Sequence, residues 1–435
     1  MGKNTGEQGM EIKPVPKVKR SIARAAADLV TGQKIRRTLR KPSGFRFAIA
    51  DGIELLDAAQ WDAVAGSSSF FLSRPYLKML EQAGPENIVP RYVLIFEGAI
   101  PVAAVYLQIV SISGAALGAK KPAQETRTSL KLIRGALAPA ARSVSARLRE
   151  RVLVCGNLLS YGFHGVAFAA GQPPQVLWPA VAEAIYRIRR GEKLSGQTDF
   201  ILIKDVTPEQ AEAVEILAHL SYRALETEPN MMLELSAQWA SHEDYLASLA
   251  SKYRSSVRQQ ILKPIDAAGC TVEPLADLQA HAECLHALYL QVHEKASFKP
   301  FTLPQNYFAA LARTAGEKLR CTVIRQEGRI VGFIITLKDG ATGYGYHIGF
   351  DRMAGETLPL YLRLLHASIA DAIALGCRQL SLGRTALEPK ARLGAQAQPM
   401  MVWLRHRQPV MNLFVRNLLR VVTHEEAPER NPFKK

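Results

Sequence analysis

The chain has 435 residues, 48% hydrophobic and 22% charged, with a formal net charge of +16 at pH 7. That length exceeds what one core usually spans and that composition excludes a disordered or fibrous chain, so two globular domains plus a tail are expected. The five cysteines (Cys155, Cys270, Cys284, Cys321, Cys377) form no CxxC pair and have no histidine at ligand spacing. This argues against a metal site or a disulfide framework and for a reducing compartment.

The first residues, MGKNTGEQGMEIKP, lack the apolar core of a secretory signal, which places the protein inside the cell. From Lys13 to Lys41 ten basic residues face one acid, Asp28, and Val18, Ile22, Ala25 and Leu29 fall at helical spacing. Next comes a predicted β-hairpin, Arg91–Gln108, in which two runs of β-branched residues flank Glu97-Gly98. Gly98 to Ala119 carries no charge, but Pro101, Gln108, Ser111 and Gly114 predict a strand and a small-residue linker, not a membrane span. Lys120–Arg151 then holds nine basic residues against Glu125 and Glu150, again with helical spacing from Leu130 to Leu148, broken by Pro139.

These two basic segments contribute +9 and +7, the whole net charge, so basicity is an attached device and not a property of the domains. Neither contains Phe, Tyr or Trp, the stacking groups of RNA and single-strand binders, which disfavours nucleic acid. An anionic membrane surface or an acidic protein fits better, and a solvated tail is the structural alternative.

Beyond the second basic segment, the loop Cys155–His164 offers Asn157 and His164 to a substrate, or Asn157 to a turn. Leu177–Arg190 has helical apolar spacing and leads into a short strand, Asp199–Ile203. Lys252–Arg258 opens a helix whose Arg254 and Arg258 share one side, as a solvated face or an anion contact. Leu319–Leu337 then repeats the first hairpin, with Glu327-Gly328 on Glu97-Gly98, and Leu358–Leu375 with Arg378–Leu382 repeats the helix and strand. The chain is internally duplicated, as two α/β units of one design.

Strict alternation in Gly343–Phe350 puts Tyr344, Tyr346, Ile348 and Phe350 on one face and Gly343, Gly345, His347 and Gly349 on the other. Strand glycines mark close approach of a ligand or another backbone, so His347 is expected alone on a face kept empty; a bulge at a glycine would rotate the pattern, and a hydrogen-bonded core histidine is the structural alternative. The run Ser381–Ala395 packs Arg384, Thr385, Glu388, Lys390 and Arg392 into nine positions after a buried strand, where α/β folds place ligand groups, with a solvated loop whose charges pair with one another as the structural alternative. Near the end, Val410, Leu413, Phe414, Leu418 and Val421 alternate with Arg416 and Arg420. No GxxxxGK, HExxH, GxSxG or GxGxxG motif occurs, so nucleotide hydrolysis, zinc proteolysis and dinucleotide binding have no sequence support.

Hairpin, glycine-rich strand, helix and strand, in the order seen from Leu319 to Leu382, resemble the core of the GNAT acyltransferase superfamily. The duplication is similar to that of the FemABX enzymes. YLASLASKYRSSVRQQILK, RVLVCGNLLSYGFHG and LGRTALEPKARLGA resemble GNAT-like N-acyltransferases grouped with bacterial ceramide synthases. The implied fold class is α/β, two tandem GNAT-like domains, each a mixed, mainly antiparallel sheet flanked by helices, behind a basic N-terminal tail. The expected boundaries are 1–45 (tail), 46–235 (first domain, with the basic insertion 113–151), 236–410 (acyltransferase domain) and 411–435 (amphipathic tail).

The resemblance implies attack of an amine on an acyl thioester of coenzyme A or of acyl carrier protein, with no metal. That chemistry needs a base, oxyanion donors and an acid for the leaving thiolate. His347 is the expected base, the amides near Gly345 and Gly349 the oxyanion donors, and Tyr346 or Tyr344 the acid, with Glu388 a further catalytic candidate. Arg384, Thr385, Lys390, Asn157, His164, Arg254 and Arg258 are the expected substrate contacts. GNAT enzymes hold the coenzyme A pyrophosphate through Arg or Gln-x-x-Gly-x-Gly or Ala at a helix start. Arg352-Met-Ala-Gly355 matches the first half of that run, then Glu356 and Thr357 depart from it. An acidic acyl carrier protein would instead meet the basic segments 13–41 and 120–151. The same segments would hold the enzyme on the cytoplasmic face of the inner membrane, where a sphingoid base or its 3-keto form would be acylated to a ceramide. The alternatives are FemABX-like aminoacyl transfer from charged RNA to a cell-wall precursor, and a non-catalytic basic lipid- or RNA-binding protein.

Overall fold

Alternating β-branched runs become strands wherever one face can be buried, and in the computed structural model they do so along most of the chain. The structure describes residues 22–113, 149–296, 299–412 and 428–434. The strands are β1 (Arg46–Ala50), β2 (Ile88–Glu97), β3 (Ile100–Ser113), β4 (Arg149–Cys155), β5 (Val166–Phe168), β6 (Phe200–Val206), β7 (Arg223–Glu234), β8 (Thr271–Pro274), β9 (Leu319–Gln326), β10 (Arg329–Asp339), β11 (Thr342–Phe350), β12 (Gln379–Ser381) and β13 (Gln396–His406). Among the described residues they form one sheet, ordered β1-β2-β3-β4-β6-β13-β7-β12-β11-β10-β9-β8, with β5 on β3.

The order is pseudo-symmetric about the β13–β7 pair. On one side β1 to β4 are antiparallel neighbours, β4 runs parallel to β6, and β6 is antiparallel to β13. On the other, β8 to β11 are antiparallel neighbours, β11 runs parallel to β12, and β12 is antiparallel to β7. The duplicated sequence is therefore a duplicated sheet in which the closing strand of each half comes from the other half's stretch of chain. The predicted hairpins are β2/β3 and β9/β10. Their turns differ by one residue: Glu327 and Gly328 both take positive φ, whereas in the first copy Gly98 does so and Glu97 still pairs with Ile100.

The two predicted repeat helices are Pro174–Gly191 and Leu360–Ala374. The first buries Leu177, Trp178, Val181 and Ile185 on β2, β3, β4 and β6, and Trp403 of β13 completes that core from the far end of the chain. The second buries Leu360 and Leu364 with Ile324, Val331 and Ile334. A further core, across the sheet, joins Tyr92, Leu94 and Tyr106 of one half to Phe333, Ile335 and Tyr346 of the other. The uncharged Gly98–Ala119 run is strand up to Ser113, as expected, and no helix among the described residues is long and apolar enough to cross a membrane.

Of the basic segments, Ile22–Leu39 is a helix in a separate unit of residues 1–42, with Arg36 and Arg37 in its last turn, where the helix dipole favours cations. Residues 1–21, 114–148 and 413–427 lie outside the described residues, and with them most of the basic insertion and the terminal amphipathic run. Arg149–Arg151, counted in that insertion, instead open β4, where Arg151 pairs with Glu192 at 2.7 Å.

Helix Leu360–Ala374 also carries His366, buried with its Nδ1 3.0 Å from His242 Nε2 and its own Nε2 without a partner among the described residues. Burial lowers both pKa values, that of His242 to about 4, and Arg363 opposes a charge on either ring. The unfolded chain binds protons on these rings below about pH 6.5 and the folded chain does not, so stability is full above that pH and falls as pH drops toward 4. We expect a loss of roughly 2–3 kcal/mol from His242 between pH 7 and 4.5. Urea titrations at both pH values measure it, and an equally steep loss in a His242→Phe/His366→Phe double variant would refute the assignment.

Candidate functional site

The site is set by an irregularity in β11. Ile335 of β10 pairs with His347 but Thr336 pairs with Gly345, which leaves Tyr346 as an extra residue in the ladder. A bulge turns neighbouring side chains toward one face. Tyr344, Tyr346 and His347 thus share the face of the joint core, while Ile348 and Phe350 pack on the opposite side with Leu360 and Leu364. This corrects the strict alternation, and with it the expectation of His347 alone on an empty face. Its ring lies 4.2 Å from that of Tyr346, 5.4 Å from Tyr307 and 5.5 Å from Phe308. Nε2 of His347 has no partner among the described residues, and burial pushes its pKa down to about 3.

The strand glycines admit neighbouring protein and not an empty site. A Cβ on Gly349 would lie 2.6 Å from Tyr289 N in helix Ala282–His293, and one on Gly345 3.2 Å from Ser368 Oγ. β11 and β12 pair only over Thr342–Tyr344 and Gln379–Ser381, then part. Into the mouth of this fork the first half sends the loop after β4. Arg384, just past β12, sits over the Tyr161 ring at 6.0 Å, and Tyr344 OH lies 3.4 Å from His164 Nε2.

His164 belongs to a polar set drawn from three distant segments. The Ser69 hydroxyl donates to Asp339 Oδ2 at 2.6 Å and lies 3.1 Å from His164 Nδ1, and Phe70 N donates to Asp339 Oδ1 at 2.7 Å. His164 Nε2 is 2.9 Å from the Tyr161 carbonyl, an acceptor that fixes the proton on Nε2 in the neutral ring. Burial lowers the His164 pKa to about 4, with Asp339 pulling the other way. Ser69, His164, Asp339 and Tyr344 line a cavity of about 440 Å3, walled elsewhere by Leu72, Phe163, Phe168 and Trp178.

Asn157 anchors the same loop: its Oδ1 accepts from Leu159 N at 2.9 Å and its Nδ2 donates to Tyr76 OH at 2.9 Å. Tyr76 OH is 2.9 Å from Tyr346 OH, which is 3.3 Å from Tyr307 OH, so a buried chain of phenols joins Asn157 to the bulge. Burial raises the pKa of each phenol, so all three remain neutral hydrogen-bond donors. Beneath the loop, fully buried Asp205 accepts from Gly162 N at 3.0 Å and forms ion pairs with both Lys204 and Arg384.

Asn157, His164, Tyr344, Tyr346, His347 and Arg384 are thereby brought to one region around the fork. The other expected residues lie differently. Lys390 is buried, its pKa lowered to about 7 by burial, with Glu228 opposing the shift. Thr385 is exposed, and Glu388 pairs with Arg392 and Arg430. Arg254 donates to the carbonyls of Ala247 and Leu249, capping the preceding helix, and Arg258 pairs with Glu243 in solvent. Ser69, Asp339, Tyr76 and Asp205 escaped the sequence reading. Asp339-Gly340 carries a turn signal, but nothing local signals its bond to a serine 270 positions earlier.

At the helix start that would meet a pyrophosphate, Arg352–Thr357, the Asp351 carboxylate already accepts from Ala354 N at 3.1 Å. An anion there would face Asp351 as well as Glu356.

The acetyltransferase (GNAT) domain family matches residues 251–391. FemX superposes with a TM-score of 0.51 at 10% identity, over 83% of this chain and 98% of that one. A tandem GNAT protein from the clavulanic acid biosynthesis pathway gives 0.48 at 10% identity over 84% and 99%, and L-PGS from Bacillus licheniformis 0.44 at 12% over 78% and 94%. No curated protein sequence matches the chain. The likeness to FemX is one of fold, whereas the family match falls on the stretch that forms β11, the fork and the loop after β12. Residues 251–391 match the acetyltransferase (GNAT) domain family, and that match supports an amide-forming acyltransferase.

Proposed function

We propose that the protein moves a fatty acyl group from a thioester to the amine of a lipid-like acceptor, with a sphingoid base or 3-ketosphinganine as the candidate acceptor. The observation that carries this reading is the cavity beside the fork, where Leu72, Phe163, Phe168 and Trp178 form an apolar part of the wall and, among the described residues, Asp339 and Glu209 line it but no Lys or Arg does. A long-chain amine fits such a lining, and a multiply anionic cell-wall precursor does not. In the reading His347 and the neutral phenols of Tyr344 and Tyr346 stand at the thioester, and the amides around the Tyr346 bulge face the developing oxyanion. The basic segments 13–41 and 120–151 hold the protein against an anionic membrane or meet acyl carrier protein.

The test incubates the protein with palmitoyl thioesters of coenzyme A and of acyl carrier protein, with sphinganine, 3-ketosphinganine or amino acids, and identifies amides by mass. A long-chain amide lost in His347→Ala supports the reading, and no amide from any pair sinks it. Because Asp351 occupies the helix start, the carrier-protein thioester is expected to show at least a tenfold higher kcat/KM than the coenzyme A thioester. Asp351→Asn should narrow that gap, and equal use of both donors by the unaltered protein would refute the donor assignment.

A further inference from the structure

The set Ser69, His164 and Asp339 has an unusual proton inventory. The Tyr161 carbonyl takes the Nε2 proton, and Nδ1 faces a serine whose single hydrogen is directed to Asp339, the nearer partner. In the neutral ring the Nδ1 lone pair therefore has no donor. Protonated, Nδ1 donates to Ser69 Oγ, Ser69 still donates to the carboxylate, and every hydrogen has an acceptor. The set thus has a place for an added proton, with the Asp339 charge opposing the burial and the Lys204 charge that disfavour it, and it opens on a cavity whose described lining has two carboxylates and no Lys or Arg.

Resting on the acyl-transfer reading above, we propose that this cavity is the acceptor's ammonium site and that His164 Nδ1 takes the proton that frees the amine. The ammonium enters with its charge toward Asp339 and its hydrocarbon against Leu72, Phe168 and Trp178. One N–H proton passes to His164, and the imidazolium is stabilised through Ser69 by Asp339. The neutral amine attacks the thioester carbon, the C–N bond forms and the C–S bond breaks. The second amine proton leaves with the thiolate as a thiol, and His164 returns its own to solvent. Ser69 and Asp339 are positioning residues here, and His164 is the base.

Binding is measured on the full chain without thioester, by calorimetry with octylamine, octyltrimethylammonium and octanol. Octylamine is expected to bind at least tenfold more tightly than octanol, and Asp339→Asn to remove that preference while leaving octanol unchanged. Since Asp339 also holds Phe70 N, a second variant tests the cavity from outside. Gln175→Trp, at an exposed position on its rim, should weaken all three ligands. Octylamine affinity unchanged in both variants overturns the proposal. In the amide-forming assay, Ser69→Ala should lower kcat at least tenfold with the amine KM within twofold, the split of a relay and not of a binding group. Wild-type KM and kcat in both His164→Gln and Asp339→Asn would refute the site while leaving acyl transfer standing. If no donor yields amide yet octylamine binding falls in both cavity variants, the ammonium site stands and the acyl-transfer reading fails.

Discussion

Removing the chain beyond Leu393 is expected to unfold the first half of the molecule, far upstream in sequence. β13 lies between β6 and β7 and bonds to both, and its Trp403 is 2% exposed within the core built by helix Pro174–Gly191. Without it β6 becomes an open apolar edge, which aggregates. Truncated protein should be insoluble or lack near-UV circular dichroism and a cooperative melt. Trp403→Ala isolates the packing share and should cost about 3–5 kcal/mol, the usual range for emptying a buried aromatic. Amides of β4 and β6 that stay protected from hydrogen exchange in the truncated chain would contradict the account.

Asp205→Ala is the most damaging single substitution expected beneath the site. Asp205 is fully buried, holds φ at +59°, and pairs with both Lys204 and Arg384 while accepting from Gly162 N. Deleting it leaves two cations in a desolvated place with no counter-charge, which costs about 3–5 kcal/mol. Asn at this position tolerates the left-handed backbone and can keep the Gly162 bond, so Asp205→Asn should lose less. The Lys204 and Arg384 charges hold the Asp205 pKa below its ordinary value against the effect of burial. Its contribution is therefore present above the unfolded carboxyl pKa and disappears as pH falls through the lower folded one. Urea unfolding at pH 7 measures the loss, and a change under 1 kcal/mol for Asp205→Ala would show that the cluster is not what anchors the loop.

The parts legible in the sequence were those with local causes. The repeated hairpins follow from β-branched alternation around Glu97-Gly98 and Glu327-Gly328. The repeat helices and the strands after them end within about four residues of their expected limits, because each is signalled by its own apolar period. What stayed hidden is set by pairing at a distance. No residue in Gln396–His406 announces that the strand belongs beside Phe200–Val206, since several partners could bury the same face. The glycines of β11 admit a bulge without fixing its position; it falls at Tyr346, one inserted residue in the ladder, and moves His347 to the face of the tyrosines. Asn157 and His164 stood out as polar groups in a loop. Ser69 sits in a serine run with no chemical signature, and Asp339 reads as a turn residue until the fold closes 270 positions between them. Lys390 illustrates the reverse: its charged neighbours Glu388 and Arg392 suggest a solvated loop, yet it is 2% exposed.

The reciprocal exchange of β7 and β13 has a mechanical corollary. In a two-lobed enzyme the lobes commonly swing apart on a hinge to admit substrate. Here such a swing would have to tear the β13–β7 ladder or its flanking ladders at the middle of the sheet, and every hydrogen bond along the torn strand would open at once. The lobes are effectively riveted. Substrate traffic is left to the surface segments around the cavity, above all the 156–165 loop. Turnover should consequently depend on how readily that loop lifts off Tyr344 and Arg384, while the distance between the two halves stays constant through the cycle.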